Sequence, residues 1–199
     1  TVNGEMIEID VMEFLFNSDE EMKPGKRTPK LKTYGGAIAA AVCIDVKSGI
    51  LMGKLIKTTA NSKEYITHFL NEFAISDYTV KNLSCDAGVV NPGHFQVVTG
   101  DTLAWLQSIG IHVNQAEPYN HARGTANIEG GIRLIRALMR IAFVYIFRNP
   151  NLMVTSFTKI EIQKLQGEVF FWALSIINRK PVPSFPTISR YESFHGIKP

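Results

Sequence analysis

Apolar and polar residues alternate through residues 6–16. Ile7, Ile9 and Val11 fall on one side and Glu8, Asp10 and Met12 on the other, the period of a strand. Residues 34–46 are small and β-branched, Lys47-Ser48-Gly49 makes a turn, and residues 50–58 form a second such run, which together predict a hairpin. From Ser62 the period changes. Tyr65, Phe69 and Phe73 recur at spacing four with Ile66 and Leu70 beside them, predicting a helix capped by Asn61 or Ser62. Residues 80–85 read as a short apolar strand ending at Asp86. Residues 95–110 read as a helix weakened at Gly100 and stopped at Gly110, and residues 111–115 as another short strand. Long helical patterns cover 126–148 and 159–177. Residues 17–33, 88–93 and 118–125 are polar loops, and the proline-rich residues 181–199 read as an irregular tail.

The first three strands are joined too tightly for helical crossovers, so they form an antiparallel meander. The later strands follow helices and suit parallel crossovers. The expectation is an α/β fold, a mixed five-stranded sheet of three antiparallel strands and then parallel ones, flanked by helices: the ribonuclease H-like arrangement. Residues 1–180 form the core domain in this reading and 181–199 a Pro-rich C-terminal extension of it.

With 199 residues, 45% of them hydrophobic and 20% charged, the chain has the makings of a packed core and is not a disordered segment. The net charge of +3 says little, but the basic residues cluster. One group is Lys23, Lys26, Arg27, Lys30 and Lys32; the other is Arg133, Arg136 and Arg140, and both suit an anionic partner. Cys43 and Cys85 lie inside apolar stretches and read as small buried hydrophobes, without zinc-ligand or disulfide spacing. The apolar run 141–147 is too short to cross a bilayer and is bounded by Arg140 and Arg148, so no membrane association is expected. The absence of a signal-peptide pattern and a start at Thr1 suggest a fragment of something larger.

Two aspartates stand where strands disfavour them, Asp10 inside an apolar strand and Asp86 at the end of one. If strands one and four are neighbours, their carboxylates converge, and divalent cations relieve the repulsion. Glu129 is the one carboxylate in the 126–148 helix and the candidate third ligand. Ligation by oxygen alone points to Mg²⁺ or Mn²⁺, and a pair of such ions serves in-line phosphoryl displacement. Taken singly, each acidic residue is more often a cap or a solvated charge. Glu8 and Glu13 compete with Asp10, and Glu117 competes with Glu129. Glu129, Arg133, Arg136 and Arg140 share one helix stripe, which reads either as a path for a DNA backbone or as a solvated face with a Glu–Arg pair.

Several segments together resemble the catalytic core of a copia-type retrotransposon integrase, a retroviral-like member of the ribonuclease H-like superfamily. They are Ile9-Asp10-Val11, Cys43-Ile44-Asp45, Ser84-Cys85-Asp86-Ala87-Gly88, and the stretch from Gly110 through Pro118, Asn120 and Gly124 to Glu129. Asn178-Arg179-Lys180-Pro181 and the tail from Ser189 through Tyr191-Glu192 and His195-Gly196 to Lys198-Pro199 are similar to the end of such cores. The resemblance implies 3′-end processing and strand transfer of element DNA into target DNA, with Asp10, Asp86 and Glu129 as catalytic metal ligands. It implies DNA contacts by Arg123, Arg133, Arg136 and Arg140, a homodimer or higher multimer, and action in the nucleus after passage through a virus-like particle. The chain departs from the family in the longer interval between Asp86 and Glu129. It also has Asn127 at the third position after Gly124, where the family carries its glutamate. A decayed or domesticated core that binds DNA or dimerises without catalysis is the alternative. A cellular ribonuclease H-like nuclease or a transposase shares the carboxylates but not the tail.

Overall fold

The computed structural model describes residues 3–17, 30–57, 62–86, 100–116, 125–148, 157–182 and 185–197, without the side chains of Asp86, Ala116, Val182 and Phe185. Strands β1 (Met6–Glu13), β2 (Ala39–Asp45) and β3 (Leu51–Ile56) pair antiparallel in sequence. Helix α1 (Ser62–Ile75) then leads to β4 (Asn82–Asp86), which runs parallel to β1. Helix α2 (Gly100–Ser108) leads to β5 (His112–Ala116), parallel to β4. The resulting five-stranded sheet has the order β3-β2-β1-β4-β5, the mixed sheet that the short and long connections predict. The expected helix start at residue 95 lies outside the described residues, as do loops 18–29 and 88–93; Gly100 begins α2 within those described.

The two faces of the sheet carry separate apolar layers. Ile7, Ile9, Ala41, Cys43 and Leu83 pack with Tyr65, Phe69 and Phe73 of α1 and Leu106 of α2. Met12, Val42 and Leu51 pack on the other face with Ile128, Ile135 and Met139 of α3 (Ala126–Arg148) and Phe170 of α5 (Gln166–Asn178). Every residue of β2 is buried, and its alanines allow helices to approach both faces. Cys43 and Cys85 are buried free thiols, as their apolar surroundings predict.

Two expectations give way. The helix predicted over 159–177 is broken into α4 (Lys159–Gln163) and α5, with Lys164 and Leu165 between them. Thr158 and Glu161 form a reciprocal capping box at the start of α4. Gln166 donates to the Leu31 carbonyl at 2.6 Å and is buried, so α5 starts where a polar side chain is drawn into the core rather than continuing α4. The tail read as irregular holds β6 (Pro181–Val182), β7 (Phe185–Ser189) and α6 (Arg190–His195), with Phe194 1% exposed between Phe73 and Tyr78. Its ordered contacts include Tyr78 donating to the Phe194 carbonyl at 2.6 Å and Asn3 donating to the Ser193 carbonyl at 2.7 Å.

Two glycines inside regular elements meet different surroundings. A Cβ on Gly53, in the middle of β3, would collide with the Phe170 ring and lie 2.7 Å from Leu174 Cδ1, whereas one on Gly130 in α3 meets nothing within 4 Å. Gly53→Ala is therefore expected to destabilise by about 1–3 kcal/mol through overpacking. Gly130→Ala should stabilise by up to about 1 kcal/mol through helix propensity. Urea denaturation of the two variants checks the pair, and equal midpoints would contradict the packing assigned to β3 and α5.

Candidate functional site

Strand β1 is the middle of the sheet, and its two in-facing carboxylates have different surroundings. Alternation puts Glu8, Asp10 and Met12 on the face covered by α3. Asp10 is partly exposed, and its Oδ1 accepts from the Val11 N–H at 2.7 Å. Glu8 is 3% exposed; its Oε1 accepts from Asn127 Nδ2 at 2.7 Å and its Oε2 from the Ile128 N–H at 2.8 Å. Glu8 thus competes with Asp10 only in sequence, because its oxygens are engaged by the start of α3.

The parallel register Met6↔Asn82 to Ile9↔Cys85, continued by one residue, makes Asp10 and Asp86 neighbours on adjacent strands. Strands so paired lie about 4.8 Å apart. The Asp86 carboxylate, the Glu117 competitor, Arg123 and the loop 117–124 lie outside the described residues. On the other sheet face, burial raises the Tyr65 hydroxyl pKa, with smaller contributions from Cys85 and Asp10, so this phenol stays protonated.

Helical rotation sets Glu129 on the flank of α3 opposite Asn127. Ile128, Ile132, Ile135 and Met139 point down into the sheet. Asn127, Gly130 and Gly131 line a groove of about 420 Å³ with Ile44 and Leu51, which places that flank over β2 and β3. A helix turns about 100° per residue, so Asn127 and Glu129 are on opposite flanks. Glu129 therefore lies on the flank away from β2 and β3. Glu129 Oε1 accepts from Thr125 Oγ1 at 3.4 Å, and Oε2 meets Arg133 Nη2 at 3.4 Å. At 80% exposure for Arg133, this pair is a loose surface contact.

The expected cationic stripe continues along the same flank. Arg136 and Arg140 line a polar hollow of about 280 Å³ with Glu13 and Lys30, and Lys30 lies 3.5 Å from Glu13. The end of the first basic cluster thus meets the second, a convergence that separation in sequence conceals. Among the described residues no group of three His, Cys, Asp or Glu side chains is placed to hold a metal ion.

Asp45 and Asn178, both in the family-like segments, are structural. Asp45 is fully buried, its Oδ1 accepting from the Gly4 N–H at 2.8 Å and its Oδ2 from Ser48 N–H at 2.8 Å and Ser48 Oγ at 2.6 Å. Asn178 accepts from the Leu51 N–H at 2.9 Å and donates to the Leu51 carbonyl at 2.8 Å, closing the free edge of β3.

Solved structures of similar fold include retroviral integrase cores. The HTLV-2 integrase catalytic core domain in complex with magnesium matches in its trimeric form with a TM-score of 0.57 at 15% identity, covering 98% of each chain. Its dimeric form matches with a TM-score of 0.55 at 16% identity, covering 99% of each. The simian T-cell lymphotropic virus intasome, solved in complex with PP2A regulatory subunit B56 gamma, matches with a TM-score of 0.61 at 16% identity, covering 98% of this chain and 55% of that one. At these identities the likeness establishes the fold, the ribonuclease H-like fold of an integrase catalytic core. No family profile matches the chain, and no curated protein matches it in sequence.

Removing the Asp45 carboxylate leaves the buried Gly4 and Ser48 donors without an acceptor. Asp45→Ala is expected to lower stability by about 3 kcal/mol or more. Chemical denaturation reads this directly, and a loss under about 1 kcal/mol would contradict the structural assignment.

Proposed function

We propose that this chain is the catalytic core of a copia-type integrase, carrying out metal-dependent 3′-end processing and strand transfer of element DNA into target DNA. The carrying observation is the strand register that brings Asp10 beside Asp86, with the Glu129 flank of α3 on the same side. Asp10, Asp86 and Glu129 form an oxygen-only donor set, which fits Mg²⁺ or Mn²⁺. Glu8 is set apart from it by burial, being 3% exposed with its oxygens accepting from Asn127 and from the main chain of Ile128. Bound there, the ions would raise the acidity of the attacking hydroxyl and neutralise the charge on the departing oxygen. In processing, water attacks a phosphodiester near the element end and the 3′-oxygen leaves as a hydroxyl. In transfer, that hydroxyl attacks a target phosphodiester and displaces the target's own 3′-oxygen.

Arg133, Arg136 and Arg140, with Arg123 ahead of the helix, would hold backbone phosphates beside these carboxylates. The magnesium-bound, dimeric, trimeric and intasome forms of the structural neighbours support metal use, multimer formation and DNA as partner for this chain. Action in the nucleus follows from the same reading. A core that binds DNA or dimerises without catalysis is the second reading, drawn from Asn127 at the third position after Gly124.

Strand-transfer assays with Mg²⁺ or Mn²⁺ test the first reading. Asp10→Asn and Asp86→Asn should each lower the rate about 100-fold or more, and full activity in Asp86→Asn would sink the assignment. Arg136→Ala and Arg140→Ala should each reduce the slope of log affinity against log salt by about one, measured by fluorescence anisotropy on duplex DNA. An unchanged slope removes the stripe from the DNA path.

A further inference from the structure

The proposed chemistry leaves one buried carboxylate on β1 unused. Glu8 stands two residues before Asp10 on the same face of the strand and is bonded to two successive residues of α3, to the side chain of Asn127 and the main chain of Ile128. A single bond would fix only where the helix begins. Two bonds, one on the flank and one at the underside, also fix its rotation about its own axis. With about 100° between successive residues, holding Asn127 over β2 leaves Glu129 the opposite flank.

The sequence after Glu129 makes this anchoring matter. Gly130 and Gly131, in the second turn of α3, give the start of the helix little intrinsic helical preference. Gly131 lies against Leu51, where a Cβ would come within 2.8 Å of Leu51 Cδ2, so the helix sits close to the sheet there. Gly130 has no such packing requirement. The turn bearing Glu129 is therefore oriented from below and behind by β1 rather than by its own stiffness.

We propose that Glu8 and Asn127 are positioning residues for the metal site: their bond sets the rotation of α3 that directs Glu129 to the Asp10–Asp86 side. The inference rests on the reading of Asp10, Asp86 and Glu129 as ligands of divalent ions. It assigns Asn127 a use of its own, as the partner of Glu8 rather than as the remnant of a lost ligand. Groups that orient metal ligands change affinity by about 10–100-fold when removed.

Binding of Mn²⁺ alone to the 199-residue chain, followed by isothermal titration calorimetry, tests it without requiring turnover. Asp10→Asn serves as the control that removes a ligand. Glu8→Ala should weaken Mn²⁺ binding about tenfold or more and speed amide exchange over residues 128–132. Asn127→Ala, which retains the Ile128 bond and adds a good helix former, should weaken binding about threefold with little change in the unfolding midpoint. Glu8→Gln should recover binding to within about twofold, because its oxygen accepts from Ile128 while Asn127 turns its own oxygen to the new amide. Wild-type Mn²⁺ affinity in a folded Glu8→Ala variant overturns the proposal. If that variant does not fold, wild-type affinity in Asn127→Ala overturns it. Loss in Glu8→Gln equal to that in Glu8→Ala also overturns it. If Asp10→Asn binds Mn²⁺ as the wild type does, the metal reading itself fails and this proposal with it.

Discussion

A carboxylate buried in the middle of a sheet has to be met by donors, and on β1 that requirement organises half of the molecule. Leaving an ionised side chain uncompensated there costs several kcal/mol, while each hydrogen bond to a charged acceptor returns about 1.5–3 kcal/mol. Among the described residues Glu8 is bonded to no cation; each of its oxygens accepts from the first turn of a helix. Helix α3 must therefore begin at Glu8. From that point its spine of Ile128, Ile132, Ile135, Met139 and Phe143 follows β1 toward Phe16, with Phe143 and Phe16 ring to ring at 4.8 Å. The N-terminal end of a helix is also where a negative charge is favoured, so the same contact serves both partners.

The edge of the sheet shows a related economy. Strand β3 offers unpaired main-chain groups at Leu51, and Asn178 covers them with an amide that imitates a further strand. Arg190 then donates from Nη1 to the carbonyls of Ile177, Lys180 and Pro181, binding the end of α5 to the β6–β7 hairpin. Phe194 closes the far side of the core against Phe73 and Tyr78. Through Phe194 the described part of the tail thus joins the core that α1 covers.

Element types were legible because each buried face imposes its own period. The spacing of Tyr65, Phe69 and Phe73 belongs to a helix, and that of Ile7, Ile9 and Val11 to a strand. The sequence left the pairing of strands one and four as a condition, and the parallel register of β1 with β4 meets it. Illegible was whatever depends on contacts between distant segments. Glu8 and Asp10 look alike along β1, and only Asn127 and Ile128, far along the chain, separate a helix anchor from a candidate ligand. The break at Lys164–Leu165 has the same origin, since Gln166 is drawn inward by Leu31. The integrase-type resemblance anticipated the fold, which the structural neighbours share; its copia-type refinement rests on the order of the motifs and the tail together.

Counting positions from Gly124 makes Asn127 look like a displaced ligand, yet a helix is read by angle as well as by count. Asn127 and Glu129 are two positions apart, which is about 200° of rotation, so they face different neighbours and cannot exchange places. The flank over β2 and β3 meets Ile44, Leu51 and the carboxylate of Glu8, and an acidic residue at 127 would set like charges against each other. An amide donor suits that flank. The opposite flank carries Glu129 followed by Arg133, Arg136 and Arg140, where a carboxylate has cations in line with it. The docking of α3 on β1, rather than the length of the preceding loop, decides which of the two residues meets Glu8 and which lies on the far flank.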